Sequence, residues 1–565
     1  MWLGFLAVLA FSSSFVTCST VIETPLGQVK GKILTTPNGK EVAAYFGVPY
    51  AHPPVGELRF KMPQPVTAWE GIKEADKFSP ACVQFTYSVD MPVPQSEDCL
   101  YLNIIRPNKP SNSANGYPVM AWIHGGGYQI GSLYDYDPAG IIGNLVDRDV
   151  IVVGIQYRLG VFGFASSGDG IFPGNLGLYD QLEALKWIRR NIGSFGGDPE
   201  QVTIFGESAG GSSVSILSLS PLAQDYFSRA ILQSGSILAP WAVFNPNSTA
   251  ENLVKLGRLL DCRMADSTTD LLDCLRGKDV TEITKANQLL LQQATKLYCD
   301  GDPLLHLTAF LLWAPVVDGN LIPSNDVSDL AFTPKPAIIG VNNDEGELLA
   351  AIFPHVVGLF GPAECLYDAT KSNKGYLKRL LQQELGDLYQ DSFLQEANGV
   401  YTKTTEFKAC MDFIADREFV YPALLESKLR TSAGGKVWFY RFNHYNPTFM
   451  ADLPHLQGAV HALELAYLMP GSFAPFFVFE RDEQDFSLTI ALGTYWTNFA
   501  KYGFPGKNSD VDWPEFGENQ SNNLVLKPNP EISSEVFENR IRFLSSLKDL
   551  EHRKNMDAKL QKDEF

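Results

Sequence analysis

A chain of 565 residues that is 45% hydrophobic and 19% charged can bury a sizeable core, which excludes an intrinsically disordered protein. Its formal net charge of −19 argues against nucleic acid as a partner, because phosphate binding needs clustered Lys and Arg. Acidity at this level favours solubility and leaves the substrate open.

The chain begins "MWLGFLAVLAFSSSFVTCST", an apolar run over residues 2–10 followed by small residues up to Cys18 and Ser19. Residues 1–18 read as a secretory signal peptide, although its n-region has no Lys or Arg. No later stretch supplies the roughly 18 uninterrupted apolar residues of a membrane span, so a soluble luminal or secreted protein is expected. In an oxidising compartment some of the remaining cysteines should pair: Cys82, Cys99, Cys262, Cys274, Cys299, Cys365 and Cys410. Cys82 with Cys99, and Cys262 with Cys274, would each close a short local loop. Sequence alone leaves Cys299, Cys365 and Cys410 unassigned, and none of the seven has zinc-site spacing.

Further along, short and nearly continuous apolar runs recur: "PVMAWIHGGG", "DVIVVGIQYR", "QVTIFGES", "RAILQSGS", "PAIIGVNNDEG" and "KVWFYRFNH". Such runs predict strands covered on both faces. Between two of them, "LGLYDQLEALKWIRRNIGSFGG" has apolar residues at helical spacing and stops at Gly196-Gly197. Strands alternating with helices predict a mostly parallel, helix-flanked α/β sheet, whose ligands bind at the carboxyl ends of the strands. No repeat or long linker divides the chain.

Two of these strand ends carry chemistry. "WIHGGGY", residues 122–128, ends a strand in three glycines whose backbone N–H groups can meet a substrate oxygen unobstructed. "FGESAGG", residues 205–211, sets Ser208 between a strand and a small-residue helix start, the context of a nucleophile elbow. Together the motifs point to acyl transfer, with Gly126, Gly127 and the Ala209 N–H as oxyanion-hole donors. A serine nucleophile needs a base and an orienting acid. "AIIGVNNDEGE" offers Asp344, Glu345 and Glu347 for the acid, and position does not choose among them. The order Ser…acid…His admits His355, His444, His455, His461 and His552. His552 lies in a charged tail and His355 follows the acid too closely. His461 heads a helix-like run in "QGAVHALELAYLMP", whereas His455 sits in a looser polar loop.

Over nearly all of its mature length the chain resembles the type-B carboxylesterase/cholinesterase family of α/β hydrolases. The stretches that carry the resemblance are "FGVPYAHPPVGELRF", "SEDCLYLNI", "WIHGGGY", "YRLGVFGF", "NLGLYDQLEALKWIRRNIGSFGGDP", "VTIFGESAGG", "APVVDG", "GVNNDEG" and "GAVHALEL". The resemblance implies an α/β-hydrolase fold over residues 19–561 and a Ser208–His461–Glu345 triad. It also implies disulfides Cys82–Cys99 and Cys262–Cys274. The activity it implies is hydrolysis of small-molecule carboxylic esters, of broad specificity, with no metal or organic cofactor. Glu207, beside the nucleophile, is expected to be a nearby carboxylate that does not reach His461 Nδ1.

The loop "CVQFTYSVDMPVPQSEDC" has no Trp, where cholinesterases hold choline by cation–π attraction, so a choline-ester specialist is disfavoured. Glu207 stands where juvenile hormone esterases typically have Gln, and the more C-terminal cholinesterase disulfide has no counterpart. The alternatives are a lipase or cholesterol esterase for long acyl chains and, from another class, a neuroligin-like adhesion protein. The latter typically lose the serine and carry a membrane span. Residues 562–565, Lys-Asp-Glu-Phe, differ from K-D-E-L in the last residue. They read as a retrieval signal for a KDEL-type receptor, which would hold the protein in the endoplasmic reticulum lumen; secretion is the alternative. Sequons at Asn247 and Asn519 suit either destination.

Overall fold

The computed structural model describes residues 20–548, apart from 37–38, 86–92, 263–266, 301–310, 325, 347–377, 379–380, 383–389, 402–405, 449–457, 472–479, 509–510 and 518–519. In chain order, the main sheet starts with β1 (Lys32–Thr35), β2 (Glu41–Pro49) and β3 (Tyr101–Pro107). The six apolar runs follow as β4 (Tyr117–Ile123), β5 (Ile151–Ile155), β6 (Gly197–Glu207), β7 (Arg229–Gln233), β8 (Ala337–Asn342) and β9 (Val437–Phe442). β10 (Asn523–Leu526) and β11 (Glu531–Ser533) complete it. The spatial order is β11-β10-β9-β8-β7-β6-β4-β5-β3-β2-β1. From β10 to β5 in this order the strands run parallel, while β1, β2, β3 and β11 pair antiparallel at the two edges.

The continuous apolar runs follow from burial on both sides. In β4, Val119, Ala121 and Ile123 enter one core, and Met120 and Trp122 enter another. The same split recurs in β5, with Ile151, Val153 and Ile155 against Val152. With no solvent face, a strand shows no polar alternation. Helices α1 (Leu176–Asn191), α2 (Ala209–Leu219) and α3 (Tyr421–Ser432) pack on the first core through residues such as Leu185, Trp187, Leu217 and Leu424. Helices α4 (Leu463–Leu468) and α5 (Glu483–Tyr502) pack on the second through Leu465, Leu492, Trp496 and Phe499. The result is a helix–sheet–helix sandwich. Past α1, a 3-10 turn ends at Gly196, whose left-handed φ of 79° makes the chain stop that the glycine pair predicted.

Arg158, just beyond β5, forms a two-pronged pair with Asp180 on α1 at 2.7 and 2.8 Å, and both side chains are buried. Disulfides Cys82–Cys99 and Cys262–Cys274 are both formed. Cys410 is buried, and Cys365 and the Cys299 side chain lie outside the described residues. Asn247 is exposed in the first turn of the helix Pro246–Leu259. Residues 1–18, Asn519 and residues 562–565 fall outside the described part. Among the described residues, no helix is long and apolar enough to cross a membrane.

Candidate active site

Ser208 occupies the single residue between β6 and α2, with φ 56° and ψ −123°. A non-glycine residue holds such a backbone only where its surroundings over-determine it. Here the Ser208 N–H donates to Gln233 O at the end of β7 at 2.8 Å, and its carbonyl accepts the Ser212 N–H at 2.8 Å. The flanking glycines permit the fit: a Cβ on Gly210 would stand 2.1 Å from Ile123 O, and one on Gly206 would stand 2.5 Å from the Gly210 carbonyl carbon. The elbow therefore lies against the carboxyl end of β4.

That strand end runs into the glycine turn. Gly126, Gly127 and Tyr128 take positive φ of 107°, 60° and 62° in succession. A Cβ on Gly125 would meet Glu207 O at 2.8 Å and Ser208 Cβ at 3.1 Å, so the turn rests directly on the nucleophile elbow. His124 stacks on the Tyr157 ring at 4.4 Å, and the Tyr157 hydroxyl donates to His124 O at 2.8 Å. Burial pulls the His124 imidazole down to about 4, so it is neutral at physiological pH and stiffens the turn as an apolar plate.

The acid comes from the end of β8. Glu345 Oε2 lies 2.5 Å from His461 Nδ1, while Oε1 accepts from Ser234 Oγ at 2.6 Å and from the Asn342 N–H at 2.7 Å. Asp344 turns the other way, accepting from the Ala459 N–H at 3.0 Å and from Lys408 Nζ at 2.8 Å. Glu347 lies outside the described residues. Of the histidines, His444 contacts Asp485 at 2.8 Å, whereas His355, His455 and His552 lie outside the described residues. His461, two residues ahead of α4, is buried between carboxylates.

Three buried carboxylates surround that imidazole. Glu207 Oε1 is 3.1 Å from His461 Nε2, and Glu464 accepts from Gln233 Nε2 at 3.1 Å and from Asn342 Nδ2 at 2.6 Å. Burial pulls the His461 pKa down, but Glu207 and Glu345 outweigh it and push it up overall. Burial pushes Glu207 up against the opposing pull of His461, and burial likewise raises Glu464. Phe419, on a π-helical turn at Asp416–Val420, packs on His461 at 4.7 Å and on Trp241 at 5.8 Å. These rings give the site an apolar wall.

Sequence reasoning set Glu207 near the site and away from Nδ1, and Nδ1 is indeed taken by Glu345. It did not foresee that Glu207 faces the other ring nitrogen. It also missed Ser234, Glu464 and Phe419. For Glu464 a signal existed, since a residue three after His461 in a helical run shares its face.

A buried imidazole–carboxylate pair beside a strained serine elbow and a glycine turn, all at the carboxyl ends of parallel strands, defines an α/β hydrolase. The chain belongs to the carboxylesterase family, whose model matches residues 18–544, and it is a carboxylic-ester hydrolase. It is 35% identical to cocaine esterase of Oryctolagus cuniculus over 553 residues, covering 93% of this chain and 96% of that protein. Carboxylesterase 5A of Mus musculus is 34% identical, with 92% of this chain and 88% of that one covered. Acylcarnitine hydrolase of Mus musculus is also 34% identical, with 92% and 90% covered.

Proposed function

We propose that this protein is a carboxylesterase of broad specificity working through an acyl-enzyme on Ser208, with His461 as base and Glu345 as acid. Ser208 Oγ attacks the ester carbonyl while His461 Nε2 takes its proton and then delivers it to the leaving alcohol. Water, deprotonated by the same nitrogen, releases the acid. Glu345 fixes the tautomer with its 2.5 Å contact to Nδ1 and stabilises the imidazolium, with Ser234 holding its second oxygen. The backbone N–H groups of Gly126, Gly127 and Ala209 receive the oxyanion.

The observation that supports this reading is the Glu345–His461 contact at Nδ1, with Nε2 lying 3.1 Å from Glu207, the residue that precedes Ser208. Breadth is supported by the variety among relatives, which are named for cocaine and for acylcarnitine. The Phe419–Trp241 wall offers apolar contact to varied acyl or alcohol groups. The test is hydrolysis of short- and long-chain nitrophenyl esters by the protein and by Ser208→Ala. Loss of turnover in the variant is expected; equal turnover in both would refute the serine mechanism, and a strong long-chain preference would make the protein a lipase instead.

A further inference from the structure

We infer that Gln84 is a positioning residue for the oxyanion hole, coupling the glycine turn to the loop closed by the Cys82–Cys99 disulfide. The inference rests on the reading that Gly126 and Gly127 hold the oxyanion.

Gln84 stands two residues after Cys82 and is buried. Its side-chain amide pairs with the backbone of Gly131 as a neighbouring strand would: Nε2 donates to Gly131 O at 2.9 Å, and Oε1 accepts the Gly131 N–H at 2.8 Å. Two antiparallel bonds fix both the position and the orientation of a residue, which one bond does not. The amide is itself held in place, since Nε2 also donates to Cys82 O at 3.1 Å. From the far side of the disulfide loop, Gln95 Oε1 accepts the Gln84 N–H at 3.0 Å.

Gly131 closes the turn that begins at His124. A Cβ there would lie 2.6 Å from Gly125 O and 2.6 Å from His124 Nδ1, so Gly131 is packed on the base of the turn. Its neighbour Ile130 presses on the donors: a Cβ on Gly126 would lie 2.1 Å from Ile130 O, and the Ile130 N–H donates to Gly126 O at 3.1 Å. Glycines that need positive φ do not hold it unaided, because the backbone is free to leave. Tyr157 anchors the His124 end, the Gly160 N–H holds Tyr128 O in the middle at 2.7 Å, and Gln84 anchors the Gly131 end. With the last of these gone, Gly131 and Ile130, which pack on Gly125 and Gly126, lose their side-chain support and the donors can shift. Misplacement of donors on the scale of about 1 Å costs roughly 100-fold in rate. Because these donors act on charge that develops only in the transition state, the loss falls on kcat and spares KM.

The experiment compares the parent with Gln84→Met, which keeps the side-chain volume and loses both bonds to Gly131 and the one to Cys82 O, and with Gln84→Ala. Each is measured for kcat and KM on a short nitrophenyl ester and for the Ki of an alkyl trifluoromethyl ketone, whose adduct with serine carries an oxyanion. The expected result for Gln84→Met is a kcat lower by about 10- to 100-fold, KM within about threefold, and a Ki weakened in proportion to kcat/KM. Unchanged kcat and Ki would overturn the inference, as would a rise in KM at constant kcat. A parent that neither hydrolyses the ester nor binds the ketone would instead overturn the underlying serine-esterase reading.

Discussion

The contact between Glu207 and His461 makes a quantitative claim about pH. Replacing Glu207 with Gln keeps shape and removes one negative charge 3.1 Å from Nε2. At that separation two unit charges interact by about 1.3 kcal/mol even with the full screening of bulk water, from 332/(80 × 3.1). That equals about one pKa unit while Glu207 is ionised, and the weaker screening of the buried site enlarges it. The sign follows from the roles. Glu207 favours the imidazolium and raises His461, so removing the charge lowers the pKa at which the imidazole becomes neutral and able to act as a base. The acid limb of the kcat/KM profile in Glu207→Gln should therefore move to lower pH by about one unit or more. The assay is ester hydrolysis across the pH range in which both proteins stay folded. An acid limb that does not move would refute the reasoning. It would mean that Glu207 stays protonated throughout the limb and that Glu345 alone holds the proton on His461.

Gly126→Ala should lower kcat on the order of 10²- to 10³-fold, because the new Cβ collides with Ile130 O and disperses the oxyanion donors; steady-state kinetics on a short ester will read it. Arg158→Leu strips the charged partner from Asp180, whose side chain is buried and keeps only the backbone N–H of residue 158 among the described residues, and should cost about 3–5 kcal/mol of stability in equilibrium urea unfolding. Replacing residues 562–565 with alanines should increase secretion from cells, and an unchanged distribution would end the retrieval proposal. Asn247→Gln should remove one glycan by mass spectrometry, since the side chain is exposed at a helix start.

The parts of this architecture that were legible in the sequence are those set by burial or by local backbone demand. All six central strands from β4 to β9 showed as apolar runs, because each buries both faces. β10 carries only Asn523–Leu526, too short a run to stand out, and the outermost strands β1 and β11 are as short and less buried. Ser208 and the glycine turn were legible because their positive φ requires small neighbours at fixed offsets. The acid was legible only through the family resemblance, since Asp344 and Glu345 are adjacent on one loop and position alone does not choose between them. Which of them turns inward is decided by Ala459 and Lys408 on one side and His461 on the other. Ser234 and Gln84 belong to no motif, and their partners are remote in sequence, at Glu345 and Gly131.

The Glu345–His461 contact spans 116 residues of chain and the Ser234–Glu345 contact spans 111. No local segment holds a working fragment of the site. Loop closure over such separations comes late in folding, after helices and neighbouring strands have formed. Esterase turnover is thus a reporter on the completed sheet: a chain with native-like helix content but β8 and β9 unpaired would be catalytically silent.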